Sequence, residues 1–494
     1  MMKHWMLLAA SAVALSACRA SLGETSPENV SAVKAVASFS EAEKIDRPVT
    51  AKVSREADRW QVDYQLNRDS RAWFFSVSQP LQADRQLWRQ QDWRVITPGV
   101  RIERHGNYDV LVSTSGGLVP QDISITFTPT NATLDREYDP AVTFGVGTTA
   151  LYSDQFDVIA ANTPDEVDDI EAGLSVEDLG GIHAHVTFHD SAGPVFVQGK
   201  RQRDPVLAGA ETYVVFGTGK IEVRGGVAML AHPDLPEWLK VDVAGFAPQV
   251  EQAYAVQLGA RADRDLPLLL MGWRGATAGK VINDGGVRPG QILFNFEGEG
   301  LLERNQRASR RTRWFIAHEL AHFWLGTSGV AYREPSDAWI TEGGAEMMAF
   351  TLLAQTDHEY ALNELQRAVE SCIVAADKPV GEAAERHESR AFYACGATFA
   401  LAATSAGKRN GGASFADFIR PLLAAHRTER LLGSDDWLTH LTAVAGDEQA
   451  TAIIRAMVRD GVADPKTAVA TLFQLTGVPY SRNDEALILG KKAI

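Results

Sequence analysis

The stretch Trp314-Phe-Ile-Ala-His-Glu-Leu-Ala-His-Phe-Trp-Leu-Gly326 decides the fold of this chain. Its apolar flanks, and a closing glycine where helices commonly end, predict a helix. On a helix His318 and His322 are four residues apart, so their imidazoles project side by side and can share one cation. Glu319 lies one step round the helix, where it suits a water molecule bound to that cation. The alternative is two partly buried, hydrogen-bonded histidines.

A third candidate ligand stands in the next predicted helix. The segment Asp337-Ala-Trp-Ile-Thr-Glu-Gly-Gly-Ala-Glu346 predicts Thr341 as the N-cap and Glu342 in the first turn. Antiparallel packing of the two helices would bring Glu342 over the histidine pair. Two imidazoles and one carboxylate, with a fourth position open, form a catalytic zinc set, so the sequence predicts one Zn²⁺. Glu342 alone could instead be a carboxylate that favours a helix dipole.

Glu346 lies four residues after Glu342 and therefore on the same helix face. It could accept a hydrogen bond from a ligand histidine. It could equally be a solvated charge on the helix, and the sequence favours neither role.

The metal motif resembles that of gluzincin peptidases of the aminopeptidase N type. The sequence Trp339-Ile-Thr-Glu-Gly-Gly-Ala345 is similar to the family's Trp-Leu-Asn-Glu-Gly-Phe-Ala. The resemblance implies a zinc metallopeptidase with ligands His318, His322 and Glu342 and with Glu319 as the general base. Nineteen residues (323–341) separate His322 from Glu342 where the family usually has eighteen, which we interpret as a one-residue insertion in the Gly329–Pro335 loop.

A further match is Phe392-Tyr-Ala-Cys-Gly-Ala397, which resembles the family's Tyr-x-Lys-Gly. Tyr393 matches the tyrosine that stabilises the oxyanion, and Gly396 matches the glycine, whereas Cys395 replaces the lysine. The alternative is a core tyrosine on an amphipathic helix.

The segment that corresponds to the family's substrate-binding strand departs from the family pattern. The family's strand Gly-Ala-Met-Glu-Asn, whose Glu binds the free amine of the substrate, corresponds here to Asn283-Asp-Gly-Gly-Val-Arg-Pro-Gly290. The missing Glu argues against strict aminopeptidase activity on a peptide or protein substrate, although Asp284 could replace it. Backbone donors at Gly285 and Gly286, together with the charge of Arg288, are the candidate substrate-binding groups.

The rest of the chain predicts an α+β multidomain protein. Apolar and polar residues alternate at period two between about 49 and 197, as in Trp60-Gln-Val-Asp-Tyr-Gln-Leu66, which predicts an antiparallel β-sandwich. Mixed patterns follow, and after residue 308 nearly every segment has helical spacing. The helices are predicted over 236–258, 309–325, 341–355, 359–376, 386–404, 414–426, 436–444, 447–459 and 466–475. The predicted domains are a signal peptide (1–17), a tether (18–45), a β-sandwich (46–204), a thermolysin-like α/β catalytic domain (205–357) and a helical region (358–494) that contributes Tyr393.

The N-terminus predicts a bacterial lipoprotein. Lys3 precedes a short apolar stretch that ends in Leu15-Ser-Ala-Cys18, which resembles a lipobox. Lipid on Cys18 would anchor the chain in the membrane. Because Arg19 rather than Asp follows, we expect the outer membrane facing the periplasm. An ordinary signal peptide is the alternative.

Composition and the remaining histidines and cysteines narrow the function classes. A chain of 494 residues with 45% hydrophobic and 22% charged residues is globular, and a net charge of −15 makes nucleic acid a poor partner. The oligomeric state is not indicated. His183, His185 and His189 are expected to be surface histidines of the β domain rather than a second metal site. Cys372 and Cys395 are compatible with a disulfide or with two free thiols.

Two rival functions stay open. One is an envelope binding protein that keeps the peptidase scaffold without catalysis, against which the retained base and full ligand set argue. The other is a zinc hydrolase of a non-peptide substrate on the same fold.

Overall fold

The computed structural model describes residues 47–135, 137–261, 265–326, 328–482 and 486–494. The predicted signal peptide, the lipidation site Cys18 and the tether (18–45) lie outside these residues. Contacts divide the chain into two compact units. Unit 1 takes the described residues up to Ile221 together with Leu230–Asp234, and unit 2 takes Glu222–Met229 and Leu235–Ile494.

Unit 1 is built mainly from strands. Its strands are β1 (Thr50–Glu56), β2 (Arg59–Gln65), β3 (Ala72–Phe75), β4 (Trp93–Val95), β5 (Val100–His105), β6 (Tyr108–Ser113), β7 (Asp122–Phe127), β8 (Ala141–Thr143), β9 (Thr149–Tyr152), β10 (Val158–Ala161), β11 (His185–Asp190), β12 (Val195–Val197), β13 (Lys200–Gln202), β14 (Val206–Leu207) and β15 (Tyr213–Phe216). Two short helices, α1 (Trp88–Asp92) and α2 (Asp165–Asp168), interrupt them.

These strands form a six-stranded sheet (β14-β11-β1-β2-β7-β4), a four-stranded sheet (β10-β3-β6-β5) and a five-stranded sheet (β13-β12-β15-β9-β8). In β2 every second residue is buried, as the period-two pattern predicts. Aromatic rings join the layers: Tyr64 of the first sheet contacts Phe75 of the second, and Trp60 contacts Phe216 of the third. The pair β1–β11 is parallel, which differs from the antiparallel expectation and is possible because a long connection separates the two strands.

The rest of the chain begins with strands and continues with helices. Its elements are β16 (Glu222–Arg224), β17 (Val227–Ala231), α3 (Glu237–Leu258), β18 (Leu268–Trp273), β19 (Ile282–Arg288), β20 (Gln291–Glu297), α4 (Gln306–Ala321), β21 (Ala331–Tyr332), α5 (Ala338–Ala354), α6 (His358–Ala375), α7 (Arg390–Arg409), α8 (Phe415–Ala425), β22 (Leu431–Leu432), α9 (Ser434–Ala445), α10 (Glu448–Arg459), α11 (Pro465–Thr476), β23 (Tyr480–Arg482) and β24 (Leu487–Leu489). A five-stranded sheet has the order β16-β17-β18-β20-β19, with β19 at one edge.

The predicted fold class is confirmed: a sheet-rich N-terminal part precedes a mixed part and a helical C-terminal part. Each predicted helix is present, with ends displaced by at most four or five residues. The start of α5 was predicted wrongly. Thr341 is not its N-cap, because Pro335–Asp337 already form a 3₁₀ turn that runs directly into the helix at Ala338. Glu342 consequently lies one turn further inside the helix than expected.

Among the residues that the structure describes, no helix combines the length and the apolar character needed to cross a bilayer.

Candidate metal centre

Helices α4 and α5 bring three potential ligands together. His318 lies in the last turn of α4, His322 is the residue that ends this helix, and Glu342 faces them from α5. The two imidazole Nε2 atoms are 3.1 Å apart, and each lies 3.5 Å from Oε2 of Glu342. The three residues predicted as ligands therefore converge on one point.

These spacings fit a zinc ion. With zinc–ligand bonds of about 2.0–2.1 Å, tetrahedral geometry sets the ligand atoms about 3.3 Å apart. The measured separations of 3.1 and 3.5 Å lie on either side of that value. Glu342 Oε2 is buried and has no hydrogen-bond partner, as expected for an oxygen that serves a cation.

The loop after α4 sets the orientation of one imidazole. Nδ1 of His322 donates a hydrogen bond to the carbonyl oxygen of Leu325 at 2.7 Å, which leaves the Nε2 lone pair facing the centre. Nε2 of His318 lies opposite it. Two lone pairs at this distance repel unless a proton or a metal ion lies between them, so the arrangement requires a positive charge at this point.

The charges of the ligands support this interpretation. Burial alone would raise the pKa of Glu342, but the charge of His322 and the closeness of both imidazole Nε2 atoms to its Oε2 hold it well below its usual range. Burial alone would lower the pKa of His322, and Glu342 instead raises it to about 9. The pKa of the fully buried His318 is lowered, chiefly by desolvation. The centre thus pairs a buried carboxylate with a positive charge, a role that a divalent cation can take over.

Glu319 is a buried acid beside these ligands. It is 6% exposed, and burial raises its pKa to about 7, with smaller effects from His322 and Glu342. A carboxyl group with this pKa can accept and return a proton near neutral pH.

Glu346 lies near Nδ1 of His318 and is hydrogen-bonded to Trp314. Oε2 of Glu346 accepts a hydrogen bond from the indole Nε1 of Trp314 at 2.8 Å, and its Oε1 is 3.7 Å from Nδ1 of His318. The Trp314 and His318 rings are 5.7 Å apart. Burial raises the pKa of Glu346 to about 8. Trp314 was not predicted as a site residue, although its position one turn before His318 on α4 was a usable signal.

Two glycines place Tyr393 at the centre. A Cβ atom on Gly343 would come within 2.1 Å of the Gly396 backbone, so α5 and α7 cross with their main chains in contact. Gly343 follows Glu342 directly, and Gly396 follows Tyr393 by three residues. The phenol ring of Tyr393 stacks on the His318 imidazole, with centroids 5.5 Å apart and planes 21° from parallel.

The hydroxyl of Tyr393 stays protonated over the whole neutral range. Burial, together with the charges of Glu342 and Glu319, raises its pKa well above the ordinary value. It can therefore act as a hydrogen-bond donor at this position.

The candidate substrate-binding residues lie on the edge strand β19. Its antiparallel partner is β20, in which Phe294 pairs with Gly285 and Leu293 with Gly286. Gly285 has φ +152°, and a Cβ there would lie 1.7 Å from a carbonyl oxygen of β20, so this position requires glycine. Arg288 is 4% exposed. The strand is tied to α4 by a hydrogen bond from Asn283 Nδ2 to Thr312 Oγ1 at 2.9 Å.

Cys372 and Cys395 form a disulfide, which decides between the two states that the sequence left open. The three histidines of the β domain do not gather into one site. His183 pairs with Asp157 and Glu177, His189 pairs with Asp204, and His185 is exposed.

Comparison with known proteins identifies the fold. No family model matches the sequence, and no curated protein matches it. The structure is similar to that of an aminopeptidase N family protein from Idiomarina loihiensis, with a TM-score of 0.55 and 11% identity over 89% of this chain and 80% of that one. An M1 zinc metallopeptidase from Deinococcus radiodurans matches with a TM-score of 0.45 and 15% identity over 84% of this chain and 92% of that one. At these identities the likeness is one of fold.

Proposed function

We propose that this protein is a zinc-dependent metallopeptidase that hydrolyses peptide bonds. The observation that carries the proposal is the convergence of His318 Nε2, His322 Nε2 and Glu342 Oε2 within 3.5 Å of one another, beside the buried acid Glu319. A binding scaffold has no need of a buried acid with a pKa near neutrality next to such a centre. The fold shared with an aminopeptidase N family protein is consistent with this chemistry.

Each residue has a role in the proposed reaction. His318, His322 and Glu342 would hold one zinc ion, which acidifies a water molecule and polarises the carbonyl group of the substrate. Glu319 accepts a proton from the attacking water and returns it to the leaving nitrogen. Tyr393 donates a hydrogen bond to the oxyanion that develops on the carbonyl oxygen, and its raised pKa keeps this proton in place.

The substrate is proposed to be an extended peptide that lies along β19. An edge strand offers main-chain donors and acceptors to such a peptide, and Gly285 and Gly286 leave that edge open to backbone approach. Arg288 is only 4% exposed, so the peptide is proposed to contact the two glycines rather than the Arg288 guanidinium. Asp284, the candidate amine anchor, lies 3.7 Å from the guanidinium of Arg274, so its charge is already balanced in part. We therefore propose that a free N-terminus is not required for hydrolysis.

Metal analysis followed by a peptide panel tests the function. We expect about one zinc ion per chain and hydrolysis of peptides with free and with acetylated N-termini, both abolished by a chelator and restored by zinc. Bound zinc without peptide hydrolysis would favour the binding protein. Turnover confined to non-peptide esters or amides would favour the other hydrolase, and hydrolysis of free N-termini alone would contradict the proposed independence from the amine.

We further propose that the mature chain begins at a lipidated Cys18 and is anchored in the bacterial envelope, with the outer membrane facing the periplasm as its site. The support is the lipobox-like segment that precedes this cysteine. The mass of the N-terminal peptide from the membrane fraction tests it, because an unmodified cysteine, or cleavage elsewhere, would be incompatible with the anchor.

A further inference from the structure

The disulfide lies directly behind the proposed oxyanion donor. Cys395 is two residues after Tyr393 on α7, and its partner Cys372 lies near the end of α6. Two residues of a helix separate side chains by about 200°, so Cys395 projects from the face opposite Tyr393. Both cysteines are fully buried, and their Cα atoms are 4.6 Å apart. The bond therefore joins α6 to the back of α7 at the level of the metal centre.

The front of α7 is held in a different way. There Gly396 meets α5 main chain to main chain, since a Cβ on Gly396 would lie 2.1 Å from the carbonyl oxygen of Trp339 and 2.7 Å from Cα of Gly343. Contact between two glycines allows close approach but interlocks no side chains, and the ring contact of Trp339 with Phe399 that adds to it lies six residues beyond Tyr393 on α7. It fixes the distance between the helices more firmly than the position of α7 along α5.

The Tyr393 hydroxyl needs both restraints. A hydrogen-bond donor for an oxyanion acts only if it is held within a fraction of an ångström of its place, and its ring must stay on His318, where the centroids are 5.5 Å apart. A small slide or rotation of α7 would carry the hydroxyl away without disturbing His318, His322 or Glu342, because none of these ligands is on α7.

We propose that the Cys372–Cys395 disulfide is a positioning element for Tyr393, which fixes the position of α7 against α6 so that the hydroxyl faces the metal centre. This inference rests on the proposed function. Cysteine at 395 replaces the lysine of the family pattern, so the covalent restraint is a property of this chain's own sequence.

A double-mutant cycle tests the proposal in the full-length protein. The variants are C372A/C395A, Y393F and the triple combination, assayed with a blocked peptide. We expect C372A/C395A to lower kcat by about 10- to 100-fold, with KM within about twofold and one zinc per chain retained. In the Y393F background the same cysteine changes should lower kcat by less than about twofold, because the group that they position is gone. Equal losses in both backgrounds, or no loss in kcat, would overturn the proposal.

A matched control separates positioning from general stability. Thr404 lies on the same helix but 11 residues beyond Tyr393, and its hydroxyl donates to the Ala400 carbonyl oxygen at 2.7 Å. T404A should lower Tm and leave kcat unchanged. If C372A/C395A does not fold, the oxidised and reduced forms of the wild-type protein, assayed under native conditions, provide the same comparison.

A structural readout keeps the inference separate from the proposed function. In a crystal structure of C372A/C395A we expect the centroids of Tyr393 and His318 to separate beyond the 5.5 Å of the intact chain, with the three ligands unmoved. An unchanged separation would overturn the positioning role even in a protein that hydrolyses no peptide. Absence of hydrolysis by the wild-type protein would count against the proposed function alone.

Discussion

Of the three groups of side chains in the described residues with the spacing of a metal site, the two that are largely buried look alike and differ in one physical respect. His318, His322 and Glu342 lie in unit 2, and Asp154, Asp157 and His183 lie in unit 1. In each group the potential ligand atoms all lie within 4.8 Å of one another. Distance alone therefore does not separate them.

The group in unit 1 is satisfied by the protein itself. Asp157 Oδ2 is 2.7 Å from Nδ1 of His183, and its Oδ1 accepts the backbone N–H of Ala184. Nε2 of His183 is 2.9 Å from Glu177. Asp154 Oδ1 accepts hydrogen bonds from the Ser153 hydroxyl and a backbone N–H.

The group in unit 2 is not satisfied in this way. Glu342 Oε2 is buried and has no hydrogen-bond partner, and the two imidazole Nε2 atoms face each other. Since an unpaired buried polar atom costs about 1–3 kcal/mol, such atoms persist where something else binds them. Unsatisfied ligand atoms, rather than proximity, therefore distinguish a candidate metal site from a structural ion-pair network.

The largest expected effect comes from removing one ligand of the unsatisfied group. Glu342→Gln should abolish stable zinc binding and lower peptide hydrolysis by roughly 10⁴-fold, because water without the metal keeps a pKa of about 15.7. Zinc per chain by elemental analysis and kcat/KM are the measurements.

The matched control is Asp154→Asn in the other group, because an asparagine Oδ1 can still accept both hydrogen bonds. It should keep one zinc per chain and full activity. Zinc loss in Asp154→Asn, or zinc retained in Glu342→Gln, would remove the distinction between the groups.

A second substitution separates metal binding from catalysis within unit 2. Glu319→Gln should retain one zinc per chain and lower turnover by about 10²- to 10⁴-fold, because the amide cannot take the proton from water. Kinetics and metal content on the same preparation decide the matter. A variant with normal turnover would defeat the assignment of Glu319 as the base.

Much of the site could be predicted from local sequence because helices fix spacing. His318 and His322 are four residues apart on one helix and must share a face. The prediction that Glu342 lies beside them required only that the next helix pack antiparallel to the first. The presence of each helix also followed from apolar periodicity, with ends displaced by up to five residues. The start of α5 could not be read, since a Pro-initiated 3₁₀ turn and an ordinary N-cap look alike in one sequence.

What the sequence could not provide depends on contacts between distant segments. Gly343 and Gly396 are 53 positions apart, and only the crossing of α5 and α7 shows why neither tolerates a side chain. Whether Cys372 and Cys395 pair depends on the distance between α6 and α7, which no local pattern encodes. Glu346 had two roles open until Trp314 and His318 were seen beside it.

A third prediction concerns pH and the satisfied group. Burial alone would lower the pKa of His183, but its hydrogen bond to Asp157 and the charges of Asp157 and Asp154 raise it from 6.5 to about 9. A histidine whose pKa is raised on folding stabilises the folded state while it is protonated. This contribution is fully present below about pH 6.5 and is lost as the pH rises through about 9. His183→Gln should therefore lower stability at pH 6.5 by on the order of 3 kcal/mol, with a difference from wild type that shrinks towards pH 9.

Hydrogen exchange of the β11 amides at pH 6.5 and 9 measures this effect locally, after correction for the intrinsic exchange rate. Zinc content serves as the control and should be the same in both proteins. If the difference between variant and wild type does not change with pH, His183 is not the charged partner of Asp157 described here.

The smallest expected effect concerns a feature that the two groups share. In each group a glutamate carboxyl group lies near one ring nitrogen of a histidine. Glu177 is 2.9 Å from Nε2 of His183, whereas Glu346 is 3.7 Å from Nδ1 of His318, because its other oxygen holds the indole of Trp314. Burial raises the pKa of Glu346 to about 8, so above this pH Glu346→Gln removes a charge while it keeps the shape and the acceptor for Trp314. At pH 9 zinc affinity should therefore fall by about 10- to 100-fold, with little change in Tm. Trp314→Phe removes the indole donor and leaves the carboxylate, and it should weaken zinc binding less.

Competition with a chelator ranks the two variants against wild type. Equal affinity in Glu346→Gln and wild type would show that Glu346 does not act on His318, and the analogy with Glu177 would then fail.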